Sequence, residues 1–339
     1  MSRIVCFGEL LLRLGAPGNE LLLQTPRLQV HVGGAEANVA VSLACLGHDV
    51  QMVSTVPGNV LGRHAVAELR RNGVGTQGVQ HVDRDRMGLY FLATGALHRA
   101  SEVVYDRVGS AFANGNADEH DWPALLEGAQ WLHVSGVSPA LGANVAASVL
   151  VASRAARKAG VRVSFDGNYR PSLWQRWGGN ASAILRELFA EADIVFADHR
   201  DIELVLGLRF TEDSAIARTE AAASAAFAAF PQLQWLACTQ REVVSADHHV
   251  LGALLLGRDG TRAQAPPRPL IGIVDRIGGG DAFAAGVLHG LLSGFDAQSS
   301  VRFGLASGAL KHSIPGDFSP AREADVWALL DSDQFDVRR

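Results

Sequence analysis

The sequence predicts an α/β fold in which a mainly parallel central sheet is sandwiched between helices in three layers, with a second, smaller β sheet set apart. Three observations carry that expectation. From about residue 112 onward, short β-branched runs alternate with alanine-rich helical runs long enough to be crossovers, which is the pattern of parallel βαβ units. Segments 13–33 and 86–112 break that rhythm with strand-like pieces and no helical spacing. The length of 339 residues, 48% hydrophobic and 19% charged, suits one large domain with an appendage.

In chain order, AEANVAVSLACLG reads as a helix with Val39, Leu43 and Leu46 on one face and Gly47 where a terminating glycine belongs. DVQMVSTV, from residue 49, follows as a strand. LQVHV, GLYFLATG and EVVYDR supply the small sheet, which gives a core of 1–12, 34–85 and 113–339 and a lid of 13–33 and 86–112. WLHVSG at 131, VRVSFD at 161, ADIVFAD at 192 and WLACTQ at 235 are core strands, with helices from 143, from 181 and over 215–229 between them. His248 and His249 read as an exposed turn. A flat sheet with apolar side chains on both faces is suited to covering a site and to pairing with a second copy, so a homodimer or higher homo-oligomer through the lid is expected.

Bulk properties exclude several function classes. A net charge of -5 and a pI near 6.2 argue against nucleic-acid binding. No run of 18 apolar residues argues for a membrane span, and the first residues lack a cleavable-leader pattern, so a cytoplasmic protein is expected. Cys6, Cys45 and Cys238 are odd in number and scattered, which suits reduced thiols. Lys158 and Lys311 are the only lysines and neither follows a glycine, so there is no Walker-type phosphate loop. The twelve histidines show no metal-binding spacing, and no protein metal ligand is assigned.

LIGIVDRIGGGDAFAAGVLHGLL reads as strand, tight turn, then a helix apolar on nearly every side, which must be buried. Gly286 and Gly290 would let a second backbone come close. Three glycines, Gly278, Gly279 and Gly280, can turn successive N–H groups toward one point, and the helix N-terminus reinforces the attraction for an anion. Asp281 comes next. Near the helix dipole a carboxylate is worth only about 0.3–1 kcal/mol, but beside an anion pocket it is costly unless it has chemical work, such as taking a proton from an attacking hydroxyl.

DRIGGGDAFAAG resembles the second signature of the ribokinase-like (PfkB) carbohydrate kinases, and GGAEANVAVSLACLG at 33–47 resembles the first. The resemblance extends over essentially the whole chain. It implies a Rossmann-type, ribokinase-like sandwich with a β lid, ATP as phosphoryl donor and Mg²⁺ arriving with it. Arg276 and Ile277 stand where the family usually has threonines, and Gly279 stands in place of alanine. By resemblance, the turn Gly278–Gly280 holds the transferring phosphoryl group and Asp281 deprotonates the acceptor. Asp198 and Asp201 stand at the family's NxxE position near the nucleotide, with Glu203 as an alternative carboxylate. Thr239 and Arg241 join the nucleotide site, with Ser307 and Gly316 among the small residues around the adenine; a tightly packed helix pair is the competing reading for these last.

Polar groups at the carboxyl ends of parallel strands line ligand crevices, which favours Asn168 and Arg170, just after VRVSF. Two arginines from separate segments, Arg107 and Arg170, suit a substrate carboxylate, which a guanidinium grips bidentately. DxNxR, GLY at 88 and VxYxR at 103 are similar to the 2-keto-3-deoxygluconate kinase branch, which implies that Gly34, Asn38, Tyr90, Tyr105, Arg107, Asn168 and Arg170 meet a keto acid. Arg13 stands where fructokinase-like relatives carry an aspartate, which argues against a neutral hexose. Fructokinase or ribokinase-like activity, or a catalytically silent sugar-acid sensor, are the alternatives.

Overall fold

The computed structural model describes residues 2–331; Met1 and residues 332–339, the outer ends of the expected core, lie outside the described residues. Among the described residues thirteen strands are formed: β1 (Arg3–Phe7), β2 (Leu11–Gly15), β3 (Gln29–Gly33), β4 (Asp49–Pro57), β5 (Gly75–Val82), β6 (Gly88–Ala93), β7 (Glu102–Asp106), β8 (Trp131–Ser135), β9 (Arg162–Asp166), β10 (Ile194–Phe196), β11 (Trp235–Ser245), β12 (His248–Gly257) and β13 (Arg262–Ile271). Nine make one sheet in the order β13-β12-β11-β10-β9-β8-β1-β4-β5, parallel from β5 through to β11. β12 and β13 then add an antiparallel edge. The other four make a separate sheet, β3-β2-β6-β7.

Helices cover both faces of the large sheet because their apolar stripes have nowhere else to go. On one face, Val39 and Leu43 of helix Ala35–Cys45 and Val287 and Leu288 of helix Gly279–Leu292 close over Met52 and Ile194. On the other, helices Ala143–Lys158, Ala181–Glu191 and Ala215–Ala229 bury Val149, Leu185, Phe189 and Ala222 against Val163 and Phe165. The first helix stops where the sequence indicates: Gly47, just past its end, has a φ of 91°, which costs glycine nothing.

One local expectation is corrected. His248 and His249 open β12, and His249 is fully buried with neither ring nitrogen partnered. The turn is Ala246–Asp247, one step earlier, and a hairpin with polar residues near its bend looks like a loop until its pairing is seen.

The helix Gly279–Leu292 packs backbone-to-backbone against Ala297–Lys311. A Cβ on Gly286 would fall 2.8 Å from the Cα of Gly304, and one on Gly290 the same distance from the Cα of Ser300. This contact holds the start of Gly279–Leu292, and with it the glycine turn, at a fixed depth. Gly286→Val is therefore expected to lower stability by about 1–3 kcal/mol or more through overpacking, seen as a lower denaturation midpoint with an unchanged m-value.

Candidate active site

A cavity of about 650 Å³ lies at the carboxyl ends of the parallel strands, beneath the small sheet. Its floor is the glycine turn. Gly278 caps the helix with φ 81°, a left-handed conformation that glycine adopts without strain. A Cβ there would also collide with the Asp317 carbonyl oxygen. The next amides, on Gly280 and Asp281, lie in the first helical turn and have no carbonyl four residues back to bond; both residues line the cavity. Gly279 does not line it, because His312 packs into the space its side chain would take.

Asp281 stands beside the turn, its Oδ2 accepting a 2.7 Å hydrogen bond from Asn38 Nδ2. Burial pushes its pKa up to about 6, against the Asn38 bond and the charge of Arg170, which favour the carboxylate. The Oδ1 of Asn38 is buried with no partner, an open acceptor at the cavity wall. Asp166, at the end of β9, is raised to about 8 by burial and by the charges of Asp281 and Asp201.

Gly34, Asn38, Tyr90, Tyr105, Arg107, Asn168, Arg170, Asp198, Asp201, Thr239 and Arg241 all line this same cavity with Gly278, Gly280 and Asp281. Gly34 has φ 143° and a Cβ there would strike the Glu9 carbonyl. Asn168 is left-handed at φ 36°, held by its N–H to Asp166 and its Nδ2 to Ser135; strain of this kind concentrates at functional sites. Arg107 is buried and donates through Nε to Glu9 at 2.5 Å, so the outer fork of the guanidinium is not used in that pair. Tyr90 donates its hydroxyl to Asp317 at 2.7 Å, and its ring sits 6.4 Å from that of Tyr105.

Asp198 and Asp201 form a reciprocal capping box on helix His199–Leu206, with Arg200 clasping Asp198. The helix-start reading accounts for their spacing, yet both face the cavity. Glu203 turns elsewhere, to Phe210 and Arg209. Ser307 and Gly316 are not brought to the cavity. Ser307 bonds the Phe303 carbonyl and packs against Gly286, so helix packing explains it. Gly316 donates its N–H to Asp275 and supports the turn from behind.

Arg170, Arg241 and Arg276 line the cavity with no ion pair among the described residues. Burial, then the charges of Arg276 and Arg170, disfavour the protonated form of Arg241. Converging unpaired guanidinium groups oppose folding on their own and suit an anionic ligand. Among the described residues no group of three or more His, Cys, Asp or Glu is arranged to hold a metal directly.

The sequence reading missed Glu9, Asp275 and Asp317, and it saw Arg13 only as a departure. Arg13 is buried; it forks onto Asp275 at 2.7 and 3.2 Å and reaches Asp317 at 3.2 Å. The fork is thus engaged from within the protein, while Nε and Asp317 Oδ1 meet as charges without a hydrogen bond. The available signal was the conjunction of an arginine in a strand of the small sheet with an aspartate opening the glycine motif.

With this arrangement in view, the comparisons fall into place. The chain matches the pfkB family carbohydrate kinase profile over residues 1–323, and it belongs to that family. It is 31% identical over 329 residues to the 2-dehydro-3-deoxygalactonokinase of Haloferax volcanii, covering 97% of this chain and 96% of that one. It is 30% identical to the 2-dehydro-3-deoxygluconokinase of Bacillus subtilis, covering 94% and 93%. The crystal structure of the 2-dehydro-3-deoxygluconokinase of Thermotoga maritima superposes with a TM-score of 0.91 at 35% identity, covering 98% of this chain and 100% of that one. The protein is a carbohydrate kinase of the ribokinase-like fold.

The acid limb of kcat/KM is expected near pH 6, where Asp281 gives up its proton. The hydrogen bond from Asn38 favours the charged form, so Asn38→Ala should move that limb to higher pH, by about one unit. A pH–rate profile of both proteins measures it.

Proposed function

We propose that the protein transfers the γ-phosphoryl group of ATP to the terminal hydroxyl of 2-keto-3-deoxygluconate, giving 2-keto-3-deoxy-6-phosphogluconate. The observation that carries the reading is one cavity holding Asp281 beside the glycine turn together with Arg170, Arg241 and Arg276, which form no ion pair among the described residues. Arg107 and Arg170 orient the acid's carboxylate, with Tyr90, Tyr105, Gly34 and Asn168 shaping the pocket. The open Oδ1 of Asn38 accepts from a sugar hydroxyl. Asp281 removes the proton from the attacking oxygen, and the amides of Gly280 and Asp281 in the first turn receive the charge that builds on the phosphoryl oxygens. Thr239, Arg241, Asp198 and Asp201 belong to the nucleotide side.

Mg²⁺, bound to the triphosphate, would screen its negative charge, and Asp198 and Asp201 would meet it through water. The small sheet, 13–33 and 86–112, acts as the lid that excludes water. Cytoplasmic residence belongs to the same reading, since the donor is ATP and the three cysteines are unpaired.

The same sheet supports a homodimer. Val30, Leu14, Phe91 and Val104 form a row across all four of its strands on the face away from the cavity, and Val30 and Val104 are 55% and 45% exposed. An apolar row of this kind suits burial against a second copy.

A second reading, the galactonate epimer, is favoured by the Haloferax relative, whose printed activity is on that sugar acid. An ADP-release assay with both keto-acid epimers, fructose and ribose decides between them: activity with either keto acid is expected, and a preference for fructose or ribose would overturn the keto-acid reading. Asp281→Asn is expected to lower kcat by roughly 10²- to 10⁴-fold with the fold retained. Arg170→Ala should raise KM for the keto acid by about tenfold or more through the lost charged contact, checked by steady-state kinetics. Light scattering of the wild type should give twice the monomer mass, and Val30→Asp with Val104→Asp should give the monomer.

A further inference from the structure

The interaction that the mechanism above leaves unused is the buried ion cluster behind the turn. Arg13 belongs to β2, in the middle of the small sheet, and its neighbours across the strands on the cavity face are His31, Tyr90 and, one strand further, Tyr105. Its guanidinium leaves this sheet and enters the large domain. There it forks onto Asp275 at 2.7 and 3.2 Å and meets Asp317 at 3.2 Å, all three being almost fully buried. Asp275 is the opening residue of the glycine motif. Its Oδ1 accepts the N–H of Ile277 at 3.0 Å and its Oδ2 the N–H of Gly316 at 2.9 Å. Asp317 takes the Tyr90 hydroxyl at 2.7 Å, and its carbonyl fills the space beside Gly278. Lys311, fully buried, lies against the same turn and lends its charge to both aspartates.

Two strands of the small sheet therefore end on carboxylates whose other contacts shape the turn. Burial opposes the ionisation of Asp275, but the fork to Arg13 outweighs it and keeps the carboxyl below its usual range. A planar fork suits two carboxylates at fixed angles in a way that an ammonium does not.

We propose that Arg13 is a positioning residue that fastens the small sheet to the phosphoryl turn through Asp275 and Asp317, so that the sugar hydroxyl, and not water, reaches the phosphoryl group. This rests on the kinase reading above, but not on which acceptor is used. Without the latch the roof sits loosely while Asp281 and the turn remain. ATP is then attacked by water as well: the water oxygen bonds to the γ-phosphorus, the bond to the ADP oxygen breaks, and the water proton is released with inorganic phosphate. A residue that merely adds stability would change the amount of active enzyme and leave the stoichiometry alone.

The test compares ADP released with phosphorylated sugar formed, using the best acceptor of the panel, for wild type, Arg13→Met and Arg13→Lys. The wild type should give a ratio of one; failure to phosphorylate any of the four acceptors would refute the kinase reading separately. Arg13→Met should lower sugar phosphorylation tenfold or more and raise the ratio to three or above. Arg13→Lys, which keeps the charge but not the fork, should raise the ratio to a smaller extent and serves if the methionine variant does not fold. A ratio of one in the soluble lysine variant, or in a soluble methionine variant, would overturn the proposal whatever the rate.

Discussion

A kinase of this design must bring several negative charges against a carboxylate that has to stay ionised. Asp281 has Asp166 and Asp317 in its electrostatic surroundings, and burial already pushes its pKa up to about 6. Much of the site answers that problem. Asn38 donates to the carboxylate, and the charges of Arg170 and Lys311 hold its pKa down, favouring the ionised form. Burial and the charges of Asp281 and Asp201 push the pKa of Asp166 up to about 8, which opposes a further negative charge there. The open amides of Gly280 and Asp281 suit an anion, and the glycines bring no side chain of their own into the pocket.

The fold supplies what the chemistry needs at two scales. At the larger scale, parallel strands put Asp166 and the segment after β10 at one edge, where side chains converge on a crevice. At the smaller scale, the close contact of Gly279–Leu292 with Ala297–Lys311 fixes the depth of the turn, and the carboxylates of Asp275 and Asp317 fix its rear. The small sheet divides its labour by alternation: one face carries Arg13, Tyr90 and Tyr105 toward the cavity, while the other carries the apolar row of Val30, Leu14, Phe91 and Val104.

What was legible in the sequence was what is local. Asp281 and the glycine turn are adjacent in the chain, and alanine-rich composition named the helix over 215–229 to the residue. The βαβ alternation gave the parallel sheet, and two motifs at opposite ends of the chain gave the family. The missing parts lie between distant segments. Arg13 and Asp275 are 262 positions apart and Arg107 and Glu9 are 98 apart, and no periodicity links such pairs. Ser307 shows the converse. A small residue in a motif-rich helix fits ligand contact and helix packing equally well until the neighbouring Gly286 is seen beneath it. The hairpin at His248 was hidden for a similar reason, since polar residues at a bend look alike whether or not the flanking runs pair.

In this reading Asp281 acts on the attacking oxygen, and the turn before it acts on the phosphoryl oxygens that carry the developing charge. A crystal structure with ADP, aluminium fluoride, Mg²⁺ and the keto acid tests it most directly. The account predicts the terminal hydroxyl within about 3 Å of an Asp281 oxygen and the fluorides facing the amides of the turn. A hydroxyl held by another group, with Asp281 still bonded only to Asn38 and no fluoride at the turn, would contradict it.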